Sequence, residues 1–247
     1  MTLVAVVVGV LIVAFVGIGQ LGNKVTGTLV DPGIAYPASI QDHDALGATT
    51  APLTLDVYGD FQCPFCGKSV LDVEPVLVSK YVMAGKLRIV HHDVEWIGQT
   101  TANRESRTAN AGASCADQQG RFWPYSLWVY RNQDGENQGG FLPDRLTAIA
   151  KSAGVDAAAF TPCLTAAATL AAVDAESATG LPKIQGGTPS FYLNGAFVSA
   201  AELKAAGDWG PILDKALAAL SASPSASGAS GSPAASGSPA ASASTKP

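Results

Sequence analysis

The chain has 247 residues, 47% of them hydrophobic, and a net charge of −5 with 15 Lys+Arg. No run of basic residues is present, and because phosphate binding needs clustered positive charge, this balance excludes nucleic acid as a partner. An apolar start and a Ser/Ala/Pro/Gly end inflate the hydrophobic fraction and leave roughly 175 residues between them, enough for one domain with a real core and an inserted subdomain.

Leu3 to Leu21 carry no charge, and Gln20 is their only strongly polar residue. As a helix this stretch spans roughly 28 Å, close to the hydrocarbon thickness of a bilayer. With no polar face it is expected to be a transmembrane anchor (3–21), with a cleaved signal peptide as the competitor. Met1-Thr2 supplies no basic start, and Gly17-Ile18-Gly19 is a faint cleavage site. Only Lys24 flanks the segment, so charge does not orient it.

Residues 22–50 are rich in Gly, Thr, Pro and Asp and read as a tether, followed by a folded body over 51–220. Leu53 to Tyr58 alternates apolar and polar side chains, the period of a half-buried strand, and Gly59 and Asp60 break it. A helix follows from about Cys63 to Met83, with Pro75 expected to kink it. Leu87 to Val90 predicts a second strand, parallel to the first if the helix is a crossover. From about 101 to 178 the chain turns Ala-rich and helical in period: Arg104–Gln119, Phe122–Tyr130, Asp144–Ala153 and Asp156–Val173, with a polar loop at Gly135–Gly140. Strand signals return at Ser190–Leu193 and Ala196–Ser199 around an Asn194-Gly195 turn, which suits positive φ angles. Ala201–Leu220 is the closing helix. The order βαβ, helices, ββα predicts an α/β fold whose small sheet is interrupted by a helical insertion. Residues 221–247 hold one charge, Lys246, and nothing to build a core, so a disordered tail is expected.

Cysteines stand at 63, 66, 115 and 163. In a secreted or tethered chain this reads as one redox pair plus one bridge, and in a cytosolic one the distant pair would be separate buried thiols. The run Asp60-Phe61-Gln62-Cys63-Pro64-Phe65-Cys66 places a C-x-x-C at a strand-to-helix junction. There the first sulfur meets the unpaired amide N–H groups and the positive end of the helix dipole, which favour a thiolate. Cys63 is therefore the expected nucleophile and Cys66, one turn further in, the resolving thiol. Pro64 fits the first helical turn, where a missing N–H costs nothing. Zinc is the competing use of such a pair, but no second C-x-x-C exists, and His91 and His92, adjacent on a strand, point to opposite faces. No metal or other cofactor is expected.

The Asp-Phe-Gln-Cys-Pro-Phe-Cys run, joined downstream by Gly187-Thr188-Pro189-Ser190-Phe191, resembles the DsbA-like branch of the thioredoxin superfamily. The likeness continues through Cys115-Ala-Asp-Gln-Gln-Gly-Arg-Phe-Trp123 and through Gly154 to Leu164, covering about residues 47–220. It implies a thioredoxin-like fold with an α-helical insertion, a cis Thr188-Pro189 bond opposite the cysteine pair, and a Cys115–Cys163 disulfide, against the alternative of two independent thiols. It also implies oxidation of reduced secreted proteins, with reoxidation by a membrane quinone-linked partner; the catalytic body is expected outside the cytoplasm because of the cysteines. Two departures stand out. Phe65 occupies the place where strongly oxidising relatives carry His, so Cys63 is expected to be less acidic than theirs. Val57 occupies the place of a buried acid six residues before the first cysteine. Asp60 is the better local candidate for proton handling than Asp56, although either reads more simply as a solvated turn carboxylate. An envelope reductase or isomerase, and a non-catalytic envelope binding module, are the alternative functions.

Overall fold

A computed structural model describes residues 27–222. The expected anchor at 3–21 and almost all of the expected tail at 221–247 lie outside them. Among the described residues no single helix is long and apolar enough to cross a membrane.

Among the described residues six strands form one sheet, in the order β1 (Gln41–Asp42), β2 (Ala45–Leu46), β4 (Leu87–Asp93), β3 (Leu53–Gly59), β5 (Ser190–Leu193) and β6 (Ala196–Val198). β3 (Leu53–Gly59) and β4 (Leu87–Asp93) pair in parallel, Leu53 opposite Leu87 through Gly59 opposite Asp93. Both show strict alternation of buried and part-exposed residues, so Leu53, Leu55, Val57, Leu87 and Ile89 line one buried face. Removing such side chains from water contributes about 1.5–3 kcal/mol apiece. β4 runs three residues beyond the expected Val90 because His91, His92 and Asp93 keep the alternation with polar side chains. His91 is buried and bonds Glu74, while His92 faces the other way to Asp56.

The parallel connection is a helical run, α1, made of Pro64–Lys68, Ser69–Val73, Glu74–Leu77 and Val78–Val82. The second and fourth pieces are π turns. Pro75 sits just past the first of them, where the Glu74 N–H already reaches back to Ser69 O. The wider turn absorbs the proline without breaking the run.

The tether expected over 22–50 is shorter than that. β1 (Gln41–Asp42) and β2 (Ala45–Leu46) pair with each other, and β2 pairs antiparallel with β4. Ala45 and Leu46 are fully buried. The reason is sheet coverage: the outer edge of β4 needs backbone partners, and two apolar residues beside a tight turn at His43 (φ 54°) provide them.

Five helices leave the sheet after β4: α2 (Glu105–Asp117), α3 (Phe122–Arg131), α4 (Pro143–Ser152), α5 (Ala157–Leu164) and α6 (Ala167–Gly180). The single helix expected over 156–173 is thus two, with axes 67° apart. Asp156 caps the first through its side chain, Pro162 lies inside it, and α6 starts afresh after Ala166 and runs on to Gly180. Cys115 of α2 and Cys163 of α5 are joined by a disulfide. β5 (Ser190–Leu193) and β6 (Ala196–Val198) form the hairpin, with Asn194 and Gly195 at φ 49° and 80°. The closing helix is also broken, into α7 (Ala200–Ala206) and α8 (Gly210–Ala222), because Gly207 turns the chain at φ 82°.

Candidate active site

Cys63 is the N-cap of α1, and Pro64 is its first helical residue. The Cys66 backbone N–H points at Cys63 Sγ from 3.4 Å, and the thiol itself donates to Thr188 O at 3.1 Å. The Thr188-Pro189 bond is cis, which brings that carbonyl over the sulfur from the loop before β5. Cys63 and Cys66 stand as free thiols in very different surroundings. The Cys66 thiol hydrogen bond does most to acidify Cys63; against the opposing effect of burial, and with help from the Thr188 side chain and the Cys66 and Phe65 amides, its pKa falls from 9.0 to about 6. Burial acts the other way on Cys66, pushing its pKa well above the ordinary value, and the proton it shares with Cys63 adds to this. One thiol is readily ionised and the other resists it. Phe65, between them, is 72% exposed and reaches neither sulfur's interior surroundings.

Asp60 is not the solvated turn carboxylate that its loop position suggests. It is fully buried. Oδ1 accepts from Gln62 N at 2.7 Å and from the Ser106 hydroxyl at 2.6 Å, while Oδ2 accepts from Trp96 N and Ile97 N, both at 2.8 Å. Its own N–H lies 3.5 Å from Cys66 Sγ. Burial raises its pKa from 3.8 to about 6 even with four donors holding it down. Asp60 therefore joins the cysteine loop, the segment after β4 and helix α2 at one carboxylate. Val57 is buried among the core apolar side chains and Asp56 bonds His92, so neither puts a carboxylate beneath the cysteines.

Three further residues reach the cysteine loop from the helical insertion, and sequence reasoning did not find them. Gln133 Nε2 donates to Phe61 O at 2.7 Å and to Cys63 O at 2.9 Å. Gln62, itself in the loop, donates to Ser106 Oγ at 2.8 Å and accepts from Asn137 N at 2.6 Å. Ser106, Gln133 and Asn137 are small polar residues 43 or more positions away in helical or loop sequence, and no local pattern marks them.

The family model described as Thioredoxin matches residues 40–215, and the chain belongs to that family. Within it, "Probable disulfide bond formation protein D" of Bacillus cereus is 29% identical over 155 residues, covering 61% of this chain and 69% of that protein. Two solved structures have the same fold. BdbD from Bacillus subtilis, in its oxidised form, superposes with a TM-score of 0.61 at 22% identity, covering 71% of this chain and 93% of that one. Chlamydia trachomatis DsbA gives a TM-score of 0.59 at 14% identity, with coverages of 79% and 99%.

Proposed function

We propose that this chain catalyses thiol–disulfide exchange on proteins outside the cytoplasm, running as dithiol oxidation through a Cys63–Cys66 disulfide. The contrast in acidity between the two thiols carries the reading. A substrate thiolate attacks Cys63 Sγ, the Cys63–Cys66 bond breaks, and Cys66 leaves as a thiolate that takes up a proton because its site disfavours charge. A second substrate thiolate then attacks the substrate sulfur of the mixed disulfide. Cys63 departs as a stable thiolate, a good leaving group because its pKa is low. Two electrons pass from substrate to enzyme, and a membrane quinone-linked thiol oxidant takes them on. Reduced secreted proteins are the substrates.

In this reading Pro64 starts the helix that holds the thiolate, Phe65 and Pro189 border the approach to Cys63, Thr188 meets its sulfur, and Asp60 holds the loop and handles protons for Cys66. The Cys115–Cys163 disulfide is structural and supports an oxidising compartment, since cytosolic thiols are kept reduced. Residues 3–21 would anchor the enzyme as a single-pass membrane protein, and its catalytic body, with the helical insertion at about 101–178, would begin with β1 rather than at residue 51. The name of the Bacillus cereus relative supports the oxidative direction. Phe65 in place of a histidine favours the second reading, a reductase or isomerase, because it removes one source of thiolate stabilisation.

Incubating the oxidised protein with a reduced, unfolded substrate tests this. Stoichiometric transfer of the disulfide is expected, and it should be abolished in Cys63→Ser and in Cys66→Ser alike, because neither variant can hold the Cys63–Cys66 disulfide. A protein inert toward substrate thiols would leave only a binding module, and a cysteine pair held reduced in intact cells would reverse the direction.

A further inference from the structure

Gln133 touches the cysteine loop without touching either sulfur. It lies just after α3 of the helical insertion, and its single Nε2 serves two carbonyls, those of Phe61 and Cys63. Two acceptors at one atom require that atom to be the amide nitrogen. The Cys63 carbonyl also receives the Gly67 N–H at 3.0 Å, the first backbone hydrogen bond of α1. The remaining amide atom, Oε1, rests against Gly67, where an added Cβ would stand only 2.5 Å away. The glycine after Cys66 thus leaves the space in which the Gln133 amide sits. Gln62, between the two carbonyls, is fixed on its other side by Ser106 and Asn137.

We propose that Gln133 is a positioning residue for the redox pair: it holds the Phe61–Cys63 backbone from the helical insertion so that Cys63 Sγ stays aimed at the Cys66 N–H at the start of α1. The Cys66 N–H reaches Cys63 Sγ at 3.4 Å, and a swing of the loop would carry the sulfur away from it. Hydrogen bonds to the carbonyls on either side of Gln62 restrict that swing. The helical insertion then acts on the chemistry, beyond its part in covering the sheet, and a shift of α3 relative to the sheet would be felt at the sulfur. This deepens the thiol–disulfide exchange reading and rests on it.

The test uses the reduced, full-length protein, with the pH profile of Cys63 alkylation by iodoacetamide as the readout. Gln133→Met keeps the bulk and removes both donors, and Gly67→Ala drives the amide off its seat while leaving Gln133 in place. Both are expected to raise the midpoint by at least half a unit, so that the thiolate fraction at the wild-type midpoint falls about twofold or more. Both should also shift the equilibrium with glutathione toward the disulfide form. Folded variants that keep the wild-type midpoint and equilibrium overturn the proposal, whatever their melting temperatures. Should either variant fail to fold, NMR of the wild type decides: the Gln133 side-chain amide resonances are expected to titrate with the Cys63 midpoint, and resonances unmoved across it overturn the proposal. A wild-type protein that alkylates only at the pH of an ordinary thiol would instead defeat the underlying enzymatic reading, an outcome separable from an unchanged variant on an acidic wild-type background.

Discussion

Titrating the reduced protein with iodoacetamide should place the midpoint of Cys63 alkylation at about 6, against 9.0 for an ordinary cysteine. At pH 7 that makes about 90% of Cys63 thiolate, where an unperturbed thiol would be about 1% ionised. The rate gain is far smaller than this ratio, because nucleophilicity falls with basicity; with a Brønsted coefficient near 0.45, a drop of three units costs about 20-fold, leaving about a fourfold net advantage. The midpoint is therefore the diagnostic, not the rate at one pH. Because the folded pKa is depressed, the stabilisation of the reduced protein is full above 9.0 and is lost as pH falls through about 6. At pH 7 it amounts to about 1.4 kcal/mol, equivalent to about 30 mV of added oxidising power for the disulfide. The perturbation that isolates the cause is Cys66→Ala. It removes the thiol donor that contributes most to the acidity and leaves the helix N-terminus intact, so the midpoint should rise while remaining below that of a free thiol. A wild-type midpoint at the ordinary value, or a Cys66→Ala midpoint identical to wild type, would refute the account of how the sulfur is activated.

Phe65→His should lower the Cys63 midpoint and make the disulfide more oxidising, because a partial positive charge would stand beside the thiolate; the side chain is 72% exposed, so the melting temperature should hardly change. Replacing Cys115 and Cys163 together by Ala opens a 48-residue loop in the crosslinked chain, and urea unfolding should report a loss of about 4 kcal/mol. Asp60 has a folded pKa raised from 3.8 to about 6, so the folded state holds the extra proton and stability from this group falls as pH rises between those values, by up to about 3 kcal/mol. Asp60→Asn should remove that slope in a pH series of melts. It also sets an amide NH2 against one pair of donors, so hydrogen exchange at Trp96 and Ile97, or at Gln62, should quicken.

Strong local signals were legible. The alternation in Leu53–Tyr58, the C-x-x-C at a strand-to-helix junction and the Asn194-Gly195 turn each depend on a few neighbouring residues, and each stands in the structure where the sequence predicts it. Signals that depend on a distant partner were not. Ala45 and Leu46 look like tether residues until the edge of β4 is there to receive them. The break between α5 and α6 interrupts an Ala-rich stretch, whereas the turn at Gly207, followed by Gly210 and Pro211, is a local stop signal that the expected continuous helix passed over.

Asp60 shows the division most clearly. The chain alone determines that a carboxylate precedes the cysteines by three residues and that a helix begins after Cys63, because both are matters of local order and backbone geometry. Whether that carboxylate meets water or four protein donors depends on Ser106, Trp96 and Ile97, which only tertiary packing brings to it. The same holds for the sulfur: its place at a helix N-terminus is written in the local sequence, but the Thr188 side chain, 125 residues away, adds to its acidity. Hydrogen bonds and burial act over a few ångströms in space, and sequence distance carries no record of them.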